Sequence, residues 1–129
     1  MLNQLTFAEA CKDWGMFVTS SLKGDLTPSM SREDLTFLKR GIVRDEDFSG
    51  YRAPLDESSI FKMLCWFNTS SSLTEEMWAS AVMQNAAREW FLHGKERFNT
   101  EVERLRKVAE NLKISVDLGT WEMYMSQYQ

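Results

Sequence analysis

Two stretches decide how this chain is read: Gly15-Met16-Phe17-Val18-Thr19-Ser20-Ser21-Leu22-Lys23 and Asp34-Leu35-Thr36-Phe37-Leu38-Lys39-Arg40. In the first, Phe17, Val18 and Thr19 suit a strand over residues 16–20, just past a glycine placed to end a helix. Thr6-Phe7-Ala8-Glu9 fits a capping box, so that helix is predicted from Thr6 to Trp14. Residues 21–34 hold Ser, Lys, Gly, Asp and Pro28 and read as a loop. Residues 35–40 read as a short strand and Ile42-Val43 as its continuation after a bend at Gly41. Strand alternation would set Leu35, Phe37 and Lys39 on one face and Thr36, Leu38 and Arg40 on the other, with one cation on each.

From Asp45 to Pro54 the chain is polar, with Gly50 and Pro54, and is predicted to be irregular. The remainder reads as helical. Asp56 is placed to cap a helix over 57–67, and Asn68-Thr69-Ser70-Ser71-Ser72 is a small polar break. Thr74 or Ser72 then caps a helix with Glu75 and Glu76 in its first turn, where acids suit the dipole. Met77, Ala81, Met83, Ala87, Trp90 and Phe91 form its stripe, and His93-Gly94 ends it. A further helix over 95–112 carries Phe98, Val102, Leu105, Val108 and Leu112 on one face, with Glu103 set to pair with Lys107. A short last helix is expected after Asp117. The class is therefore α+β, mostly helical, with a small antiparallel sheet edge over 1–54 and a helical block over 55–129.

The chain has 129 residues, 43% of them hydrophobic, which suffices for one core. It carries 15 basic and 19 acidic side chains, a net charge of −4. Free-standing nucleic-acid binders are usually basic, so composition alone points away from RNA and toward an acidic, helical protein-interaction module. Cys11 and Cys65 lie far apart without C-x-x-C spacing and read as two reduced, partly buried thiols of a cytosolic protein. The start lacks the features of a signal peptide, and no apolar run approaches the roughly 20 residues a membrane helix needs. The one histidine, His93, reads as a helix C-terminal cap without a metal-ligating companion. Asp45-Glu46-Asp47 reads as a solvated loop rather than a metal cluster.

The order of the two opening stretches is more specific than composition. It resembles the RNA-directed RNA polymerases of picorna-like positive-strand RNA viruses (dicistrovirus, iflavirus and calicivirus relatives). In that family motif D ends a helix at Gly and leads through a strand and loop to a Lys, the position of Lys23. Motif E, commonly T-F-L-K-R, follows, and Thr36-Phe37-Leu38-Lys39-Arg40 matches it letter for letter. Ala53-Pro54-Leu55-Asp56 resembles the passage from palm to thumb. The resemblance covers about residues 3 to 113. It implies palm C-terminal part over 1–54 and thumb over 55–129.

It further implies nucleotidyl transfer with Mg2+ or Mn2+ bound by aspartates outside this chain, since no G-D-D occurs here. The chain alone is then expected to be inactive. Lys23 is implied to offset charge or donate a proton as pyrophosphate leaves, although Leu22 stands where many relatives have Asp. Lys39 and Arg40, with Arg44 and Arg52 behind them, are implied to contact primer RNA or the nucleotide through phosphate, which positions without reading sequence. The implied partners are template and product RNA, nucleoside triphosphates and the rest of the palm and fingers, in a replication complex of the host cytoplasm.

Overall fold

The computed structural model describes residues 2–20, 23–66 and 72–128. The first helix, α1, runs Gln4–Asp13. It starts two residues before the expected Thr6, because Asn3 is the better cap: its side chain accepts from the amides of Leu5 (2.9 Å) and Thr6 (3.0 Å). Thr6 is the reciprocal partner of this box, its hydroxyl accepting from the Asn3 amide at 2.9 Å. At the other end Gly15, at φ 76°, takes the left-handed conformation that breaks a helix. None of the α1 side chains is buried.

The expected strands are relocated. Residues 16–20 join no sheet, since a strand exists only where a neighbour completes its ladder. Residues 35–40 are not one strand either. The chain reverses at Leu38-Lys39, both in the left-handed region at φ 52° and 61°. Phe37 and Arg40 close this turn by exchanging two backbone hydrogen bonds of 2.9 and 3.0 Å. Two successive positive φ angles mark the two-residue hairpin turn whose twist matches that of its flanking strands. The bend thus sits at Leu38-Lys39 and not at Gly41, and the alternation expected for residues 38–40 fails because the backbone has already turned back.

The sheet among the described residues begins at Val43, an expected strand residue, and runs on into the stretch expected to be irregular: β1 (Val43–Asp45) pairs antiparallel with β2 (Gly50–Arg52) in the register Val43↔Arg52, Arg44↔Tyr51, Asp45↔Gly50. A 3-10 turn, Glu46–Phe48, links them, capped by the Asp45 carboxylate on the Asp47 amide (3.1 Å). Asp45-Glu46-Asp47 is polar because it makes this turn, and Phe48 within it is buried.

Four helices complete the chain: α2 (Glu57–Cys65), α3 (Glu75–Phe91), α4 (Lys95–Asn111) and α5 (Trp121–Tyr128). Asp56 and Thr74 cap α2 and α3 as expected, on the amides of Ser59 (3.3 Å) and Met77 (3.2 Å). Position 67 and most of the polar break over 68–72 lie outside the described residues, as do Ser21 and Leu22 of the earlier loop. On α3 the inward stripe is Met83, Ala86, Ala87, Trp90 and Phe91, whereas Met77 and Ala81 are exposed. Phe98, Val102, Leu105 and Ala109 of α4 meet it, and Leu118, Trp121 and Tyr124 close the end. Phe48 enters this core from the hairpin, 5.1 Å ring to ring from Phe91 and 5.9 Å from Trp121.

Candidate nucleic-acid interface

Thr36-Phe37-Leu38-Lys39-Arg40 builds a projecting tip. Leu38 and Lys39 cap the turn and are exposed. Beneath them the Lys39 carbonyl accepts from the Asp56 amide at 2.8 Å, and Gly41 N–H donates to Pro54 at 3.0 Å. The turn is therefore seated on the segment that starts α2. Asp56 has its carboxyl held below the usual carboxylate range, first by the Ser58 hydroxyl, with the Ser59 amide and Lys39 adding to it.

The five cations expected at the site divide into two groups. Among the described residues, Lys23, Lys39 and Arg44 are exposed and form no ion pair. Lys23 sits at φ 58°, its amide bonded to Ser20 at 2.9 Å. Arg44 lies opposite Tyr51 on the hairpin. Arg40 and Arg52 are instead engaged with the protein. Arg40 grips Glu89 of α3 through both terminal nitrogens, at 2.7 Å each, and reaches the Ala53 carbonyl at 3.1 Å. Hydrogen bonding to Glu89 raises the Arg40 pKa above its ordinary range, against a smaller opposing effect of burial. Arg52 donates to Asp45 at 2.9 Å and to the Leu92 carbonyl at 2.6 Å, tying the hairpin to the end of α3.

A second polar cluster joins α2, α3 and α4, and only part of it has a pattern in the sequence. Glu101 is 3% exposed and is neutralised by Arg97 (3.0 Å) and Arg104 (2.9 Å). The Arg97 pair has the familiar i,i+4 spacing; the Arg97–Glu57 contact of 3.1 Å spans 40 positions and has none. Arg97 also lies 5.0 Å from the Trp90 ring. His93 is no helix cap, since Leu92 ends α3. Its Nε2 lies 2.7 Å from the Leu55 carbonyl, which can only accept, so this nitrogen carries the proton. Glu103 pairs with Arg106 at 3.7 Å, one residue short of the expected Lys107.

Cys11 and Cys65 are free thiols, and Cys65 is exposed rather than partly buried. Among the described residues no three His, Cys, Asp or Glu side chains are grouped to hold a metal ion. Among them, too, no helix is long and apolar enough to cross a membrane.

The chain has known relatives. A family model of viral RNA-dependent RNA polymerases matches residues 4–110, which takes in the Leu38-Lys39 tip, both strands, α1 to α3 and nearly all of α4. The chain is also 31% identical over 117 residues to the replicase polyprotein of Drosophila C virus (strain EB). That match covers 90% of this chain and 6% of the polyprotein. Because the family match runs through most of the chain, including the T-F-L-K-R turn, the chain belongs to the viral RNA-dependent RNA polymerase family.

Proposed function

We propose that this chain is the end of the palm and the thumb of a polymerase that copies positive-strand RNA, with the boundary near residue 54, and that it works only joined to the rest of the palm and the fingers. The observation that carries this reading is the exposure of bulky apolar side chains in the first part of the chain. Trp14 is 85% exposed, Phe17 82%, Leu38 76% and Phe37 72%, and among the described residues none before Phe48 is buried. Bulky apolar side chains left this exposed suit a surface that another structure covers. The helical block has a buried core of its own, although Trp66 and Leu112 within it are also exposed.

On this reading the Leu38-Lys39 tip, with Arg44 on the neighbouring hairpin, binds backbone phosphates of the primer or the entering nucleotide, and so sets position rather than sequence. Arg40 and Arg52 hold those cations in place from behind. Lys23, free and beside Gly24, faces the triphosphate and offsets charge or gives a proton as pyrophosphate departs. Among the described residues no donor set is grouped for the divalent ion that the family implies, Mg2+ or Mn2+; on this reading carboxylates outside the chain take that role. Template and product RNA and nucleoside triphosphates are the partners, in a replication complex of the host cytoplasm.

The test is single-turnover nucleotide incorporation by three samples: the polymerase that contains this chain, the same enzyme with Lys23→Leu, and the chain alone. The first is expected to be active, the second slower by about 10²-fold, and the chain alone inactive. Incorporation by the chain alone above a buffer control refutes the reading, and a Lys23→Leu rate equal to wild type removes Lys23 from it.

A further inference from the structure

A long-range side-chain contact joins the T-F-L-K-R turn to the helical block: the pair between Arg40 and Glu89, 49 positions apart. Its form is specific. Both guanidinium nitrogens meet both carboxylate oxygens at 2.7 Å, a planar fork that fixes orientation as well as distance. Glu89 is 19% exposed, so this carboxylate is largely withdrawn from water. A third bond, from Arg40 to the Ala53 carbonyl at 3.1 Å, prevents the guanidinium from swinging about the pair.

Arg40 is also the closing residue of the turn. Its amide and carbonyl both bond Phe37, so anchoring its side chain anchors Lys39 one residue away. Lys39 itself sits at φ 61°, a conformation that a non-glycine residue keeps only where its surroundings impose it. The second tether, from the Asp56 amide to the Lys39 carbonyl, comes from the start of α2. Two helices of the block thus grip the turn through its backbone and through Arg40, and they leave the Lys39 side chain exposed and, among the described residues, outside any ion pair.

We propose that Glu89 is a positioning residue: through its bidentate pair with Arg40 it holds Lys39 where it meets RNA phosphate, and so makes the placement of the turn follow that of α3. This rests on the reading of the Leu38-Lys39 tip as an RNA contact. Neither Arg nor Lys can replace the carboxylate alone, and Gln keeps the shape but offers one acceptor oxygen in place of two and no charge.

The experiment uses the polymerase that contains this chain, with Glu89→Gln, Lys39→Ala, the two together, and the exchange Arg40→Glu with Glu89→Arg. Primer–template affinity, kcat at saturating RNA and Tm are measured for each. Glu89→Gln is expected to weaken RNA binding on the order of tenfold at fixed salt, with kcat unchanged. It is expected to add nothing once Lys39 is Ala, and the exchange should recover part of the loss. Equal loss from Glu89→Gln with and without Lys39 overturns the proposal. So does wild-type binding by Glu89→Gln, a fall in kcat without a fall in affinity, or an exchange variant of normal Tm that recovers nothing. If the Gln variant does not melt cooperatively, Glu89→Asp, which keeps the charge and shortens the reach, takes its place in the same comparison. Failure of the underlying reading looks different: Lys39→Ala alone then binds RNA as tightly as wild type.

Discussion

Tyr124 shows how a single side chain is set by what surrounds it. Its hydroxyl donates to the Leu118 carbonyl at 3.1 Å, and burial pushes the phenol above its ordinary 10.0, with Arg88 pulling weakly the other way. The folded state thus favours the neutral phenol. A pKa raised on folding means that the stabilisation is complete below about 10 and is lost as pH climbs through the folded value. Tyr124→Phe should therefore lose about 0.5–1.5 kcal/mol at neutral pH, the worth of one hydrogen bond, and decline less steeply in alkali. Urea unfolding of both proteins from about pH 8 to 11 checks this, and parallel alkaline slopes would show that Tyr124 is not the group responsible.

At the scale of elements, β1 and β2 have three residues each, and a two-stranded ribbon so short is not stable by itself in water. Its anchor is Phe48 on the connecting turn, 2% exposed and packed against Phe91, Trp121 and Tyr128. The Arg52 bond to Leu92 adds a polar tie to the same place. Phe48→Ala should cost about 3–5 kcal/mol, since the cavity is lined by rings that cannot collapse into it. Denaturant unfolding measures the loss. Amide exchange should also quicken at Asp45 and Arg52 while α4 stays protected; a loss under about 1 kcal/mol would mean that the hairpin is held by other contacts.

Across the whole molecule protection should follow burial. The α2–α5 block and the β1–β2 hairpin share one core, and α1 has no buried side chain. In the isolated chain, amides of α1 and of the 37–40 turn should exchange faster than those of α3 and α4 by orders of magnitude. On the proposed reading, α1 should become protected once the rest of the palm covers it. Equal protection of α1 and α4 in the isolated chain would contradict the view that α1 awaits a partner. Phe48 packs the hairpin against the helices, so residues on both sides of position 54 share one core.

What the sequence determined by itself was local. Caps at Asp56 and Thr74 and the extents of α3 and α4 follow from short-range rules. The family was legible for the same reason, since motif order survives in the letters. Strand pairing was not: β1 and β2 are three residues long in a polar stretch, and the alternation that reveals longer strands has no room to appear. Residues 16–20 and 35–40 carry strand-like letters, yet neither forms a strand: a strand depends on a continuous neighbour, and 35–40 makes only isolated bridges, Phe37 with Arg40 and Arg40 with Leu55. Only the tertiary structure separated the five cations. Arg40 and Lys39 are adjacent and chemically alike, but Glu89 and Asp45 come from distant positions or across a turn to claim Arg40 and Arg52. Which charges stay free for a ligand is decided by long-range packing, because a carboxylate 49 positions away leaves no mark on the local sequence.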